Sequence, residues 1–416
     1  MMQHRLTPRT VARLCASALM TALCAATPTA HADPNPYTLS AQQTIEHDSN
    51  LLRAPDGNAP GADWVSSTAL LLDVNQPLGR ERLKANGLVS LDRFRSNTQL
   101  NAISHRAAVE LDWATVGDLS GEIGGNQAAE LYHYATSDGQ VYDQKNIQTT
   151  SELFAHARLG VVTRWTLQGE LGLYRRAFSA QPFRSRDLRR DFATLRTIYQ
   201  SSPDLAFNGA FRHTRGAYPN FSATLGTDDF SRNDLTAGAT WAASGASRLT
   251  ASVGAARETH SQATLRDSRY WTASLQWLWQ ATGRTQLTLG LLRDNDTGAT
   301  DIPFAFGDLA STDARIRTAF TGKAAYNLTG KIDLTASGGF SRRQLDSAFA
   351  LVPDAGARGG DRLYNAALGL DYRPTRTSDI ACNLSRERRT VQGSTPSITY
   401  GYSANVISCS GSIGFN

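Results

Sequence analysis

Long hydrophobic runs are almost absent from this 416-residue chain. The one that exists, Leu14–Ala26, is too short for a membrane helix, which needs about 20 apolar residues. No helical membrane span is therefore expected. Lysine is scarce: Lys84, Lys145, Lys323 and Lys331 are the full set. Nearly all positive charge is thus arginine, whose planar guanidinium suits carboxylates and phosphates. Cysteine is scarce too, with only Cys15, Cys24, Cys382 and Cys409. The last two lie beyond the leader, and two isolated thiols supply too few ligands for a metal. Catalytic signatures are missing as well: there is no G-x-S-x-G, no H-E-x-x-H and no phosphate loop. His260 and Ser261 are adjacent, but neighbours on a strand point to opposite faces and cannot pair as base and nucleophile. The chain reads as a non-enzyme with no cofactor and no metal.

The first 32 residues read as a secretory signal peptide. Arg5, Arg9 and Arg13 precede the apolar run, and Ala30-His31-Ala32 forms the cleavage site. Leucine precedes both Cys15 and Cys24, which is not a lipoprotein context. Residues 33–416 would then be the mature chain. Without the three leader arginines, 42 basic residues become 39 against 37 acidic, and the charge falls from +5 to +2. The basic pI therefore gives no reason to expect nucleic acid as a partner. Length alone would suggest two or three soluble domains. Yet no linker, composition shift or low-complexity tract divides the chain, which favours one architecture that grows by repetition.

The repeating unit is strict alternation of apolar and polar residues, the mark of a half-buried strand. Trp165, Leu167, Gly169, Leu171 and Leu173 alternate with Thr166, Gln168, Glu170 and Gly172. Leu249–Ala255, Ile332–Phe340 and Tyr364–Tyr372 repeat the pattern. Connections alternate between short, such as Gly79–Arg80 and Thr282-Gly283-Arg284, and mostly longer, such as Ser137–Lys145, Ala217–Thr227 and Asn295–Leu309. Counting hairpins from Tyr37 to Phe415 gives about 18 strands with both ends on the short-turn side. That is the pattern of an all-β, antiparallel transmembrane barrel of the Gram-negative outer membrane, with short turns in the periplasm and long loops outside. Closure satisfies the strand edges that hydrocarbon cannot hydrogen-bond. Outer-membrane lipid is the first partner this implies.

Trp113, Trp165, Trp241, Trp277 and Trp279 cluster near short turns and read as a periplasmic aromatic girdle. Trp277 and Trp279 share an outward face with Leu275, and Leu287, Leu289 and Leu291 continue it on the next strand. The last strand carries Ile407, Cys409, Gly411, Ile413 and Phe415 in alternation and ends in Phe one residue before the final Asn416; apart from that extra residue it resembles the insertion signal of bacterial outer-membrane barrels. Cys382 and Cys409 are equidistant from a turn at 394–397. An unbulged hairpin would place them directly opposite on the apolar face, within disulfide reach. The periplasm would oxidise them.

The polar residues of each strand should face a water-filled lumen. Among them Arg106, Arg158, Arg176, Arg212, Arg248, Arg315, Arg317 and Arg343 are candidate contacts for a passing solute. The alternative role for each is an ion pair that holds the wall. As a set, the arginine excess favours an anionic solute.

Several stretches resemble one family. "HDSNLLR" (His47–Arg53), "RGAYPN" (Arg215–Asn220), "WAASGASRLTASVGAARETH" (Trp241–His260) and "WQATGRTQLTLGLLRD" (Trp279–Asp294) are similar, in order, to segments of the EpsL family of outer-membrane barrels from exopolysaccharide operons. The resemblance implies export or synthesis of an exopolysaccharide, with periplasmic and inner-membrane export components as partners. It carries no catalytic residues. A general diffusion porin for small solutes and a non-conducting scaffold of the export complex are the alternatives. A long loop folded into the lumen would favour the porin, and an open, arginine-lined lumen the polymer conduit. Plugging by the N-terminus would favour the scaffold, although Asp33–Pro36 is short for that task.

Overall fold

In a computed structural model the chain forms a closed antiparallel barrel of 18 strands. The structure describes residues 35–58, 61–132, 134–135, 139–160, 163–222, 225–295, 314–346, 358–392 and 399–415. The expected signal peptide, 1–32, lies outside them. The strands run β1 (Tyr37–Asp48), β2 (Asp63–Leu78), β3 (Glu81–Phe94), β4 (Ala102–Ala114), β5 (Leu119–Leu131) and β6 (Ile147–Leu159). Next come β7 (Trp165–Phe178), β8 (Leu188–Ser202), β9 (Leu205–Ser222), β10 (Gly226–Ser244), β11 (Ser247–His260) and β12 (Ser268–Thr282). The wall ends with β13 (Thr285–Asp294), β14 (Ala314–Thr329), β15 (Ile332–Asp346), β16 (Arg358–Tyr372), β17 (Ser378–Gln392) and β18 (Tyr402–Phe415).

Each strand pairs with its sequence neighbour, and β1 closes the ring on β18 from Leu39↔Phe415 to Asp48↔Val406. Closure leaves no free edge, which is what a hydrocarbon surrounding demands. Alternation then sorts the side chains. Leu171, Leu235 and Val253 on the outer surface are 62, 64 and 63 % exposed, far more than a water-facing barrel would leave bare. This apolar band marks the surface of an outer-membrane barrel. The buried apolar clusters lie instead at the long-loop end, among them Leu51, Leu52, Val65, Phe94 and Leu100. Lipid takes the place of a core around the middle of the wall.

The girdle has two parts. Trp165, Trp241 and Trp279 stand exposed on the outer face beside short turns. Trp277 stacks on Trp279 with centroids 5.4 Å apart, and its Nε1 donates to Ser247 Oγ at 2.9 Å. Trp113 lies over Gly121, where a Cβ would come 2.5 Å from the indole, so only glycine fits beneath it. Trp64 and Trp271, also exposed, stand at the opposite end, where β2 and β12 begin. They belong to an outer girdle that the turn-based reading did not assign.

One expected loop is mostly strand. The long connection expected over Ala217–Thr227 is largely taken up by strand: β9 runs to Ser222 and pairs with β10 through Asp228↔Tyr218. Tyr218, Phe221 and Phe230 pack with Leu188 and Ala263, and this cluster outweighs the local turn signals. Between β11 and β12 the chain makes a short 3-10 turn at Thr264–Arg266.

Candidate functional site

The lumen follows from the same alternation. Even-numbered residues of β4 to β13 and odd-numbered residues of β14 to β17 oppose the lipid face and point inward. Most of the expected arginines in this set have partners. Arg106 pairs with Glu130 and Arg158 with Glu122. His156 also approaches Glu122, at 3.8 Å. Arg176 donates from Nη2 to the Arg186 carbonyl at 3.1 Å, and Arg212 lies 3.5 Å above the centre of the Phe192 ring. Arg343 donates from Nε to Asp361 Oδ1 at 2.8 Å. Arg317 stands opposite Arg343 in the β14–β15 register. Arg248 is exposed near the periplasmic end of β11. Arg315 belongs to β14, but its side chain lies outside the described residues. No continuous track of bare guanidiniums runs down the described wall.

Charge on the inner surface is mixed. One recess of about 500 Å³ is lined by Arg196, Asn208, Arg212, Asp234, Thr236 and Asp294. A second, of about 430 Å³, is lined by Glu122, Glu152, His156, Arg158, Glu170 and Arg196. Lys84 lies 2.9 Å from Glu110 and 2.7 Å from Asp112 across β3 and β4. Arg232, outside the expected set, is fully buried and lies 2.8 Å from Asp294, with Asp234 on its other side. Its even spacing with Asp234 on β10 was a usable signal for it.

The extracellular mouth is where distant parts of the chain meet. The segment between β5 and β6 carries Tyr132, Tyr134, Ala135 and Tyr142. Tyr134 and Ala135 pack with Leu363 of β16 and Tyr402 of β18, both on the inward face. Tyr132 meets Phe178 and Phe183 edge-on, with centroids 5.1 and 5.5 Å apart. Gln99 Nε2 donates to the Asp143 carbonyl at 3.1 Å, which ties the segment to the β3–β4 loop. Burial pushes the Tyr134 phenol above its usual pKa, and the nearby Glu387 adds to this. Nothing in the alternation pattern foretold these contacts, because loop paths carry no periodic signal.

The stretch His47–Arg53 builds the adjoining part of the mouth. Arg53 takes a left-handed conformation, φ 48°, and places Nη1 2.6 Å from Asp48 Oδ2. Asn50 donates to the carbonyls of Ala54 and Ser403, each at 3.0 Å. Burial works against the Arg53 charge, but Asp48 and Glu387 hold its pKa above the ordinary range. These residues clamp the β1–β2 loop to the wall. At the other end of the molecule the structure joins Cys382 to Cys409 in a disulfide between directly opposed positions of β17 and β18, Cα atoms 4.1 Å apart.

No family model matches the chain. No curated protein matches it. Among solved structures it is similar to the outer membrane protein OpdK of Pseudomonas aeruginosa, with 12 % identity and a TM-score of 0.48, covering 91 % of this chain and 99 % of that one. OccK2 (OpdF) of the same organism gives 12 % and 0.48, over 91 and 98 %. OccAB3 of Acinetobacter baumannii gives 9 % and 0.46, over 91 and 99 %. The architecture stands on the closed register itself and not on these likenesses.

Proposed function

We propose that the protein is a diffusion porin for small hydrophilic solutes. The observation that carries this reading is the β5–β6 segment, whose Tyr134 and Ala135 pack against the inward-facing Leu363 and Tyr402. A segment held there narrows the mouth, which suits small solutes better than a polymer in transit. The mixed and mostly paired charge of the wall supports the same reading, since it offers water-filled passage without a strong preference for one sign. Conductance of the purified barrel in a planar bilayer tests it. The wild type should pass steady ion current, and Tyr134→Ala should raise the single-channel conductance and admit larger neutral sugars in a liposome-swelling assay. A barrel that passes neither ions nor sugars would remove the porin reading.

A second reading, an exopolysaccharide conduit working with periplasmic and inner-membrane export components, is favoured by the ordered motifs from His47–Arg53 to Trp279–Asp294. Deletion separates the two. Polymer trapped in the periplasm with normal solute uptake would favour the conduit. Slower uptake with unchanged polymer would favour the porin.

A further inference from the structure

The outer surface holds arginines of a different kind. On the strand ends nearest the long loops, just above the aliphatic band, Arg175 continues the outward series of Leu171 and Leu173. Arg257 continues that of Val253 and Ala255, and Arg269 adjoins Trp271. The register sets Arg175 directly opposite Arg189 and Arg257 directly opposite Arg269. All four are exposed, and none is in an ion pair among the described residues. Like charges directly opposed across a ladder destabilise it. Arg215 adds to the row, donating from Nε to His213 Nε2 at 3.2 Å, with Asp191 as its cross-strand neighbour. Arg293 completes it, lying 4.4 Å over the Trp271 ring. Six guanidiniums thus line the outward face from β7 to β13, with Asp191 and Asp229 as the carboxylates on that stretch of the face.

A lone arginine at this height needs no explanation, since long basic side chains reach for the headgroup layer. Two opposed pairs without carboxylates do need one. No described carboxylate forms an ion pair with either pair, which leaves room for a counter-charge from outside the chain. Above the aliphatic band on the long-loop side lies the headgroup layer of the outer leaflet, whose phosphorylated glycolipid carries phosphates directly over acyl chains. Guanidinium binds phosphate bidentately, and each opposed pair presents two forks to one group. Leu173, Phe211, Leu235 and Val253 provide the shelf on which acyl chains would lie.

We propose that the outward face of β7 to β13 is a specific binding site for the phosphorylated glycolipid of the outer leaflet, held through Arg175, Arg189, Arg257 and Arg269. Native mass spectrometry of the full-length barrel in neutral detergent tests this, with three probes: bisphosphorylated lipid A, its dephosphorylated form and phosphatidylglycerol. The wild type should bind the bisphosphorylated probe at least about tenfold more tightly than either of the others, and R257Q/R269Q should lose that preference. Heat-modifiable mobility on gels reports whether the variant is folded. If it is not, the wild-type comparison still decides. Equal binding of the phosphorylated and dephosphorylated probes would overturn the proposal. So would equal binding of phosphatidylglycerol, which would reduce the site to general anion attraction, or a folded variant that keeps the preference.

Discussion

The inner wall and the outer rim use the same residue in opposite ways. Inside, Arg343 finds Asp361, Arg232 finds Asp234 and Asp294, and Arg158 finds Glu122. Outside, Arg175 faces Arg189, and Arg257 faces Arg269. The difference lies in where the counter-charge is stored. In the lumen the chain carries its own acids, so the wall holds its shape whatever solute passes. At the rim the chain leaves the acid to its surroundings, which makes the rim sensitive to the lipid around it. Arginine count alone therefore says little about what a barrel transports; the partner of each guanidinium decides.

The comparison can be broken most sharply at Asp361. This carboxylate is fully buried and serves Arg343, Arg389 at 3.9 Å and the Thr399 hydroxyl at 2.6 Å. Asp361→Asn removes the carboxylate charge beside two buried guanidiniums, a loss of about 3–5 kcal/mol. Urea unfolding in lipid vesicles reads it as a lower midpoint than wild type. A loss no larger than that of an outward arginine variant would erase the distinction between the two surfaces. Next in size is the stitch on the outer wall. The Cys382–Cys409 link closes a loop of 27 residues, and C382S/C409S should cost about 2–4 kcal/mol by the chain-entropy account. Alkylation without reductant should add no mass to the wild-type protein, and labelling of both thiols would show that the pair is reduced.

Alternation made the barrel legible, because in a closed antiparallel wall the period of two fixes the lipid face, the lumen and the parity of the hairpins together. Trp165, Trp241 and Trp279 could be placed from their distance to short turns. Trp64 and Trp271 could not, since loop-side strand ends lack a sequence marker as sharp as a two-residue turn. The lumenal parity of Arg106, Arg158 and Arg343 was readable, but their partners were not. Register decides whether an inward arginine meets a carboxylate, and register depends on hairpin lengths that long loops obscure. The packing of Tyr134 on Leu363 and Tyr402 joins segments more than 200 residues apart. The β9–β10 extension past Pro219 was hidden for a related reason: Tyr218, Phe221 and Phe230 act together only once folded.

The smallest effect is the most diagnostic, because its sign should change. In glycolipid-free detergent Arg257→Gln removes a like-charge contact with Arg269 and should stabilise the barrel by about 0.2–1 kcal/mol. Added salt should shrink that gain, since the pair is exposed to solvent and screened over about 10 Å at 0.1 M. With bisphosphorylated glycolipid present the two guanidiniums become joint ligands of one anion. The wild type then gains binding free energy that the variant cannot, and the order of stability should reverse. The same substitution at Arg158 should destabilise under both conditions, since its partner Glu122 belongs to the chain. An Arg257→Gln barrel that is less stable than wild type in plain detergent would mean that the outward arginines are held by the protein after all.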